Sequence, residues 1–393
     1  TAMLEKYDLM NRRTQENLIA IRVVKAFVRG DYESVRFEDS ARALRTTQIR
    51  AEKLIVLSMP FMQIAMYFTI IAVLWAGGRD IVRGALTTGA LISFISYITQ
   101  ILSSLMMLTF VFVGLVLSTA SIRRIAEVLN EVPAISEESA DPSLSVTEGS
   151  IRFEDVCFSY ADDPDNLTLS HIDLDIASGE TIGIIGGSGS SKTTLVQMIP
   201  RLYDPLSGRI VIGGHDVREY TTKRLRESIG MVLQKNVLFS GTIAENLRWG
   251  GETASDEVLR DAAEAAQAAP FISSFPDGYD TRIEQGGVNV SGGQKHRLCI
   301  ARALVKDPKI LILDDSTSAV DTATDALIRK ALRSRRAGTT TLIIAQRISS
   351  VMDADRILVM NDGRIDAIGT HDELLRTNRI YREVYESQQK GAM

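Results

Sequence analysis

Residues 181–199 decide the fold and read TIGIIGGSGSSKTTLVQMI. The apolar run from Thr181 to Ile185 predicts a buried strand, and the segment from Leu195 to Ile199 predicts a helix. The loop between them is rich in glycine and serine and ends in Lys192 and Thr193. A loop in this position binds phosphate, because backbone N–H groups surround the anion, the lysine reaches the outer phosphates and a hydroxyl binds Mg²⁺. The sequence therefore predicts an α/β domain with a phosphate-binding loop.

The phosphate-binding loop departs from the usual pattern at one position. The candidate phosphate ligands are Gly186, Gly187, Ser188, Gly189, Ser190, Ser191, Lys192, Thr193 and Thr194. The pattern has glycine at the position of Ser191, where a left-handed backbone is common. Serine enters that region at a cost of roughly 1–2 kcal/mol, so we expect local distortion without loss of binding.

Two further segments contain residues suited to binding Mg²⁺ or phosphate. Lys309–Asp314 reads KILILD, a buried strand that ends in an acid, and Asp314 is the expected Mg²⁺ ligand. The second segment, Ser291, Gly292, Gly293 and Gln294, precedes a predicted helix and offers a hydroxyl and helix N–H groups to an anion. Two phosphate-binding elements are more than one nucleotide needs. We therefore expect the second element to serve a nucleotide held by another subunit.

Composition excludes several other classes of protein. The chain has 393 residues, 44 Lys and Arg against 49 Asp and Glu, a net charge of −5 and two cysteines. The acidic balance argues against a nucleic-acid coat, and two cysteines exclude a disulfide-built fold. At about 150 residues per domain, the length predicts two or three domains. The four histidines are scattered, and we expect no metal cluster from them.

The mean hydropathy of +0.05 averages two different halves. Residues 54–78 and 84–122 contain no charged side chain, and a membrane span needs about 20 apolar residues. We predict two spans, at about 54–78 and 86–108, the second with a cytoplasmic extension, and a kink at Pro60. A row of polar residues in the second span is either a helix-packing face or the lining of a water-filled pathway; these are Ser93, Ser96, Thr99, Gln100, Ser103 and Ser104.

Cation distribution predicts the orientation of the spans. Residues 1–53 hold eleven Lys and Arg, and Arg123 and Arg124 follow the second span. The positive-inside rule therefore places both ends of the chain in the cytoplasm. The first residues of the sequence resemble the middle of a membrane domain, so we expect that the preceding membrane spans of this domain are not included. Residues 127–150 are acidic and rich in serine and proline, as in a solvated linker.

Taken together, these motifs resemble the exporter-type half of an ABC transporter. The resemblance implies a multi-domain fold in which an all-α transmembrane segment, the C-terminal part of an exporter membrane domain (1–126), is followed by a linker (127–150). An α/β P-loop NTPase nucleotide-binding domain with a helical subdomain (151–386) and a tail (387–393) come next. In that family Tyr160 would stack on adenine and Gln234 would contact Mg²⁺ and the attacking water. Residues 16–21 match a coupling helix, and Ser318–Asp321 match a loop that communicates between two ATP sites.

Three positions depart from the family in the hydrolytic machinery. Asp315 stands where the family has a glutamate base, and one methylene less withdraws the carboxylate by about 1 Å, which can lower the rate about 100-fold. Gln346 replaces the histidine that senses the γ-phosphate, and glutamine carries no charge. Ser191 is the third departure, and Gln285 also replaces a common glutamate. The pattern resembles the degenerate-site subunit of a heterodimeric exporter, one that binds ATP and hydrolyses it slowly.

The resemblance implies ATP and Mg²⁺ as cofactors and a second, non-identical half as partner. It further implies a multi-pass protein of a bacterial cell membrane that moves small amphiphiles such as drugs or lipids, with the nucleotide-binding domain in the cytoplasm. A nucleotide-gated channel or regulator on the same fold is the alternative. A soluble ATPase acting on nucleic acid is disfavoured by the two spans.

Overall fold

The computed structural model describes residues 2–314, 322–334 and 338–390, and two compact units divide between Val132 and Pro133. Asp315 and the segment Ser318–Asp321 lie outside the described residues.

The first unit is helical. Its helices are α1 (Ala2–Ile19), α2 (Ile21–Ala26), α3 (Gly30–Val82) and α4 (Thr88–Leu129). Polar contacts join α1 to α3: the Arg13 guanidinium donates to the carbonyl of Arg36 at 3.1 Å, and Asn17 Nδ2 donates to Glu33 Oε2 at 2.9 Å. The candidate coupling segment 16–21 lies where α1 ends and α2 begins.

A tight connection joins α3 to α4. Thr87 caps α4 by accepting a hydrogen bond from Ala90 N at 3.3 Å. A Cβ added at Gly77 would collide with the side chain of Leu91, one of the buried residues of this unit. Gly77 therefore lets the two helices approach closely.

Two segments of these helices are long and apolar enough to cross a membrane. They are Pro60–Val82, with 23 residues and mean hydropathy 1.6, and Thr88–Phe112, with 25 residues and mean hydropathy 1.7. Helix α3 continues through Pro60, so the apolar segment Pro60–Val82 begins within this helix and not at a helix end. Ser93, Ser96, Thr99 and Ser104 donate to carbonyls four residues earlier in α4. This bonding suits both interpretations of the polar row.

The second unit is an α/β domain. Its strands are β1 (Ile151–Phe158), β2 (Leu169–Ile176), β3 (Thr181–Gly186), β4 (Ser207–Ile212), β5 (His215–Asp216), β6 (Ile229–Val232), β7 (Gly241–Thr242), β8 (Arg282–Ile283), β9 (Ile310–Asp314), β10 (Thr340–Ile344), β11 (Arg356–Asn361) and β12 (Arg364–Gly369). Its helices are α5 (Lys192–Met198), α6 (Thr222–Glu227), α7 (Ile243–Arg248), α8 (Asp256–Ala265), α9 (Ala269–Ile272), α10 (Gly292–Val305), α11 (Thr322–Ser334), α12 (His371–Thr377) and α13 (Arg379–Lys390).

A six-stranded sheet in the order β12-β11-β3-β10-β9-β6 forms the centre of this unit. Strands β11, β3, β10, β9 and β6 run parallel, with Ile344 beside both Ile184 and Asp314. Alternate side chains enter two different cores: Ile182 and Ile184 pack on one face, and Ile185 packs on the other. Because both faces are covered, the strands are nearly continuous apolar runs.

The helical part of the unit packs on one of these cores. Within the alanine-rich stretch 256–269, helix α8 buries Leu259, Ala262 and Ala263. The spacing of three and four residues places these side chains on one face of α8.

The segment expected to be a solvated linker is bonded to the second unit from Ser136 onward. Glu137 Oε1 accepts from Thr222 N at 2.8 Å at the start of α6, and the buried Arg201 donates to the carbonyl of Ser136 at 2.9 Å. The carbonyl of Gly149 accepts from Thr340 Oγ1 at 2.7 Å. Glu137, one of the acidic residues that suggested solvation, therefore caps the start of α6.

Candidate functional site

The phosphate loop joins the end of β3 to the start of α5. Lys192 Nζ donates to the carbonyls of Gly186 and Gly187 at 2.9 and 2.7 Å and to Ser190 Oγ at 3.1 Å. These bonds hold the ammonium group over the loop. A Cβ at Gly186 would collide with the carbonyl of Met360, whereas positions 187 and 189 are open. The loop therefore leaves its backbone accessible to an anion at its centre.

Ser191 adopts the left-handed conformation that its position predicts, with φ 68° and ψ 22°. It is the N-cap of α5, and its side chain makes no capping hydrogen bond. A serine in this region costs about 1–2 kcal/mol relative to a right-handed conformation. The loop therefore keeps its left-handed conformation at Ser191, and the serine introduces local backbone strain.

The end of β9 supplies an acid beside the loop. Thr193 Oγ1 donates to Asp314 Oδ1 at 3.1 Å, and Asp314 is 1% exposed. A hydroxyl and a carboxylate oxygen are hard ligands of the kind that Mg²⁺ prefers. The donor set at this point therefore fits a magnesium ion.

These groups line a single cleft of about 550 Å³, a size typical of small-molecule sites. Its lining residues are Gly186, Ser188, Gly189, Ser190, Ser191, Lys192, Thr193, Thr194, Gln234, Asp314, Ile344 and Gln346. The convergence follows from the sheet, because the parallel strands β3, β6, β9 and β10 all end at this edge. Sequence positions more than 150 residues apart thus meet in one site.

Tyr160 is held beside the phosphate loop by three neighbours. Its hydroxyl lies 3.1 Å from Thr194 Oγ1. The rings of Phe158 and Tyr203 meet Tyr160 edge-on, with centroids 4.9 and 5.2 Å away. Tyr160 is still 55% exposed, which leaves ring surface for a ligand. Tyr203 was not singled out from the sequence, since a tyrosine between a helix and a strand carries no motif.

The Ser291–Gln294 segment lies at the N-terminus of α10. Ser291 Oγ accepts from Gln294 N at 3.3 Å, and Gln294 Oε1 accepts from Ser291 N at 2.9 Å, which is a capping box. Ser291 and Gly292 are exposed. Within the described part of the chain, none of the four residues of this segment lines the cleft of the phosphate loop.

The predicted base position, Asp315, and the predicted communicating loop, Ser318–Asp321, fall outside the described residues. Gln346, the other altered position, follows β10 and lines the cleft.

His171 lies close to two other potential metal ligands, although the sequence predicted no metal cluster around the histidines. Its ligand atoms lie within 4.8 Å of those of Asp155 and Cys157, because the antiparallel strands β1 and β2 bring them together. His171 Nδ1 is hydrogen-bonded to Asp155 Oδ1 at 2.6 Å, and Cys157 Sγ accepts from His171 N at 3.3 Å. All three side chains are engaged in cross-strand bonds, so we assign them a structural role.

Comparison with known proteins identifies the family. The chain matches the ABC transporter family over residues 169–318 and the ABC transporter transmembrane region over residues 1–105. It is 42% identical over 385 residues to the ABC transporter ATP-binding protein YfiB of Bacillus subtilis, covering 98% of this chain and 66% of the relative. It is 38% identical over 388 residues to the ATP-dependent lipid A-core flippase of Desulfotalea psychrophila, covering 99% of this chain and 67% of the relative.

A solved structure agrees with these relatives. A bacterial Atm1-family ABC exporter with ATP bound superposes with a TM-score of 0.89 and 32% identity, covering 98% of this chain and 69% of the other. The chain thus spans about two thirds of the length of these relatives. The predicted fold class and the membrane location with a cytoplasmic nucleotide-binding domain are confirmed. The chain belongs to the ABC transporter family, as an exporter-type half-transporter whose helical transmembrane segment precedes an α/β ATP-binding domain.

Proposed function

We propose that this chain is one half of an ATP-driven exporter and binds ATP in the cleft of the phosphate loop. The observation that carries the proposal is the cleft itself, which gathers the loop, Gln234, Asp314 and Gln346 at one edge of the sheet. The backbone and Lys192 bind the phosphates, and Tyr160 offers a ring face to the adenine. Thr193 and Asp314 would hold Mg²⁺, which neutralises phosphate charge when bound.

The hydrolytic machinery of this cleft is proposed to be weak. Gln346 donates a neutral hydrogen bond where a histidine can carry charge, and charge on a donor strengthens its bond to an anion. Asp315 is shorter than glutamate by one methylene, and a base must lie within about 3.2 Å of the proton it accepts. Ser191 adds backbone strain beside the phosphates. Each change affects hydrolysis more than binding, so the site holds ATP and turns it over slowly.

A non-identical partner half follows from this asymmetry. The Ser291–Gln294 segment keeps a capped, exposed helix N-terminus, as an anion site requires. It does not contribute to its own chain's cleft among the described residues. We infer that it completes the ATP site of the partner, whose own base is intact. Two copies of this chain would instead pair two weak sites.

The proposed cargo is a small amphiphile, a drug or a lipid. Two apolar segments long enough to span a bilayer place the chain in contact with lipid, and one relative is named as a lipid A-core flippase. The net charge of −5 gives no support to a nucleic-acid partner.

A nucleotide-gated channel or regulator is the second candidate, favoured by the same weak site. In such a channel, slow hydrolysis of ATP at this site would set how long the channel stays open. Flux that requires ATP turnover and runs against a cargo gradient supports the exporter, whereas passive flux after ATP binding supports the channel.

The weak-site proposal is tested in two ways, with the purified chain by itself and in the assembled complex with the partner's base disabled. We expect ATP binding with slow turnover, and we expect Asp315→Glu combined with Gln346→His to raise the turnover. The two single variants serve as controls. Because the base and the sensor act on one transition state, each single variant is expected to raise the turnover less than the double variant does. Turnover at full transporter rates by the unmodified chain would refute the degenerate site.

The partner proposal has its own experiment. Ser291→Ala is expected to lower hydrolysis at the partner's phosphate loop in the assembled complex, while ATP binding at this chain's own loop is retained. Site-resolved turnover, with ATP trapped at each site in turn, separates the two. If Ser291→Ala leaves the partner's site unaffected, the shared-site proposal is wrong.

A further inference from the structure

Helix α13 is bonded to the segment that carries Gln346. Gln388, near the end of α13, donates from Nε2 to the carbonyl of Gln346 at 2.7 Å. Its Oε1 accepts from the backbone N–H of Ile348 at 2.9 Å. One side-chain amide therefore closes two hydrogen bonds onto backbone groups on either side of Arg347.

The helix that presents Gln388 is firmly anchored. Tyr381 is fully buried, and its hydroxyl is hydrogen-bonded to His371 Nδ1 at 2.7 Å. Asn378 Oδ1 accepts from Tyr381 N at 2.8 Å, which fixes the start of the helix. Val384 packs on the same core as Ile348. The amide of Gln388 is thus delivered to the backbone after β10 from a packed element.

The contact bears on nucleotide binding because the side chain of Gln346 lines the phosphate cleft. The orientation of its peptide groups sets the direction of that side chain. We propose that Gln388 is a positioning residue for Gln346, so that preference for ATP over ADP depends on helix α13. This inference rests on the proposed role of Gln346 at the γ-phosphate.

The test uses two neighbouring glutamines of the full chain. Gln388→Met keeps the length of the side chain and removes both hydrogen bonds. The matched control is Gln389→Met, because among the described residues the Gln389 amide bonds within α13, to Tyr385 Oη at 2.8 Å. Affinities for ATP and ADP are measured by competition against a fluorescent ADP analogue. We expect Gln388→Met to lower the ATP-to-ADP affinity ratio about threefold to tenfold, by weakening ATP binding, and Gln389→Met to leave it unchanged.

A structural role alone would lower the melting temperature and leave this ratio unchanged. Melting without nucleotide is therefore measured in parallel. Gln388→Glu serves where the methionine variant fails to fold: it keeps an acceptor for Ile348 N but turns an oxygen toward the Gln346 carbonyl. It is expected to shift the ratio in the same direction.

A double-mutant cycle tests the route through Gln346. Gln346→Ala is expected to lower the ratio, and adding Gln388→Met is expected to lower it no further. A normal ratio in Gln388→Met, or an equal loss in the Gln346→Ala background, overturns the positioning role. If Gln346→Ala itself leaves the ratio unchanged, the proposed γ-phosphate role fails, and the inference fails with it.

Discussion

Thr193 Oγ1 lies 3.1 Å from Asp314 Oδ1, which joins the helix after the phosphate loop to the end of β9. The two residues are 121 positions apart, and the parallel register of β9, β10 and β3 brings them together. Asp314 is buried, so its carboxylate is shielded from bulk water and available to the cleft. The pair is the point at which a cation would meet the phosphates.

Asp314→Asn is predicted to remove most of the Mg²⁺ dependence of ATP binding. Asparagine keeps the shape and a hydrogen bond to Thr193, but it lacks the negative charge that attracts the cation. We expect the enhancement of ATP affinity by Mg²⁺ to fall by roughly tenfold or more, as measured by titration with and without the ion. Affinity in EDTA is the control and is expected to be at least as high as in the unmodified chain, because without the cation the charge that the variant loses only repels the phosphates. An undiminished Mg²⁺ effect would contradict the assignment.

Ser191→Gly is predicted to stabilise the phosphate loop. Glycine adopts φ 68° without the Cβ contact that strains serine, so we expect a gain of about 1 kcal/mol, partly offset by the greater freedom of glycine when unfolded. ATP affinity is expected to stay close to that of the unmodified chain, because glycine retains the backbone conformation of the loop. Melting temperature and ATP titration measure the two effects.

Ser190→Gly is the contrasting variant. Ser190 Oγ donates to the carbonyl of Gly187 at 2.9 Å and accepts from Lys192. Its removal is expected to weaken the loop and ATP binding. If both glycine variants behave alike, strain at Ser191 is not the cause.

The sequence predicted the fold where chemistry and periodicity coincide in a short segment. The phosphate loop, the strand that ends in Asp314 and the Ser291–Gln294 cap can each be inferred from neighbouring residues. The contacts of Gln388 with Gln346 and of Tyr203 with Tyr160 cannot, because each depends on a tertiary approach between residues that carry no motif. The hydrogen bonds made by the linker could not be predicted for the same reason, since the partner of Glu137 lies far along the chain.

Tyr160→Ala is predicted to weaken ATP binding about tenfold, because the stacking of a base on an aromatic ring contributes about 1–3 kcal/mol. Tyr160→Phe keeps the ring and loses only the contact with Thr194, so its affinity should stay close to that of the unmodified chain. Tyr203→Ala removes one of the two rings that hold Tyr160 edge-on, and an intermediate loss is expected. Comparison of ATP with inorganic triphosphate is the control, since triphosphate has no base and should bind all variants equally.

His296 is predicted to make the stability of the ATP-binding domain depend on pH. Burial, and secondarily the charge of Arg297, lowers the pKa of His296 from 6.5 to about 4, and the side chain is 1% exposed in α10. Between pH 6.5 and pH 4 the unfolded chain binds a proton that the folded chain does not. The contribution of the neutral histidine is therefore complete above pH 6.5 and is lost as the pH falls toward 4, by about 3 kcal/mol in all. Melting temperatures from pH 7.5 to 4.5 measure this loss. His296→Gln, which cannot titrate and can still bond to Asn236, should show a flatter profile, and parallel profiles would exclude His296 as the source.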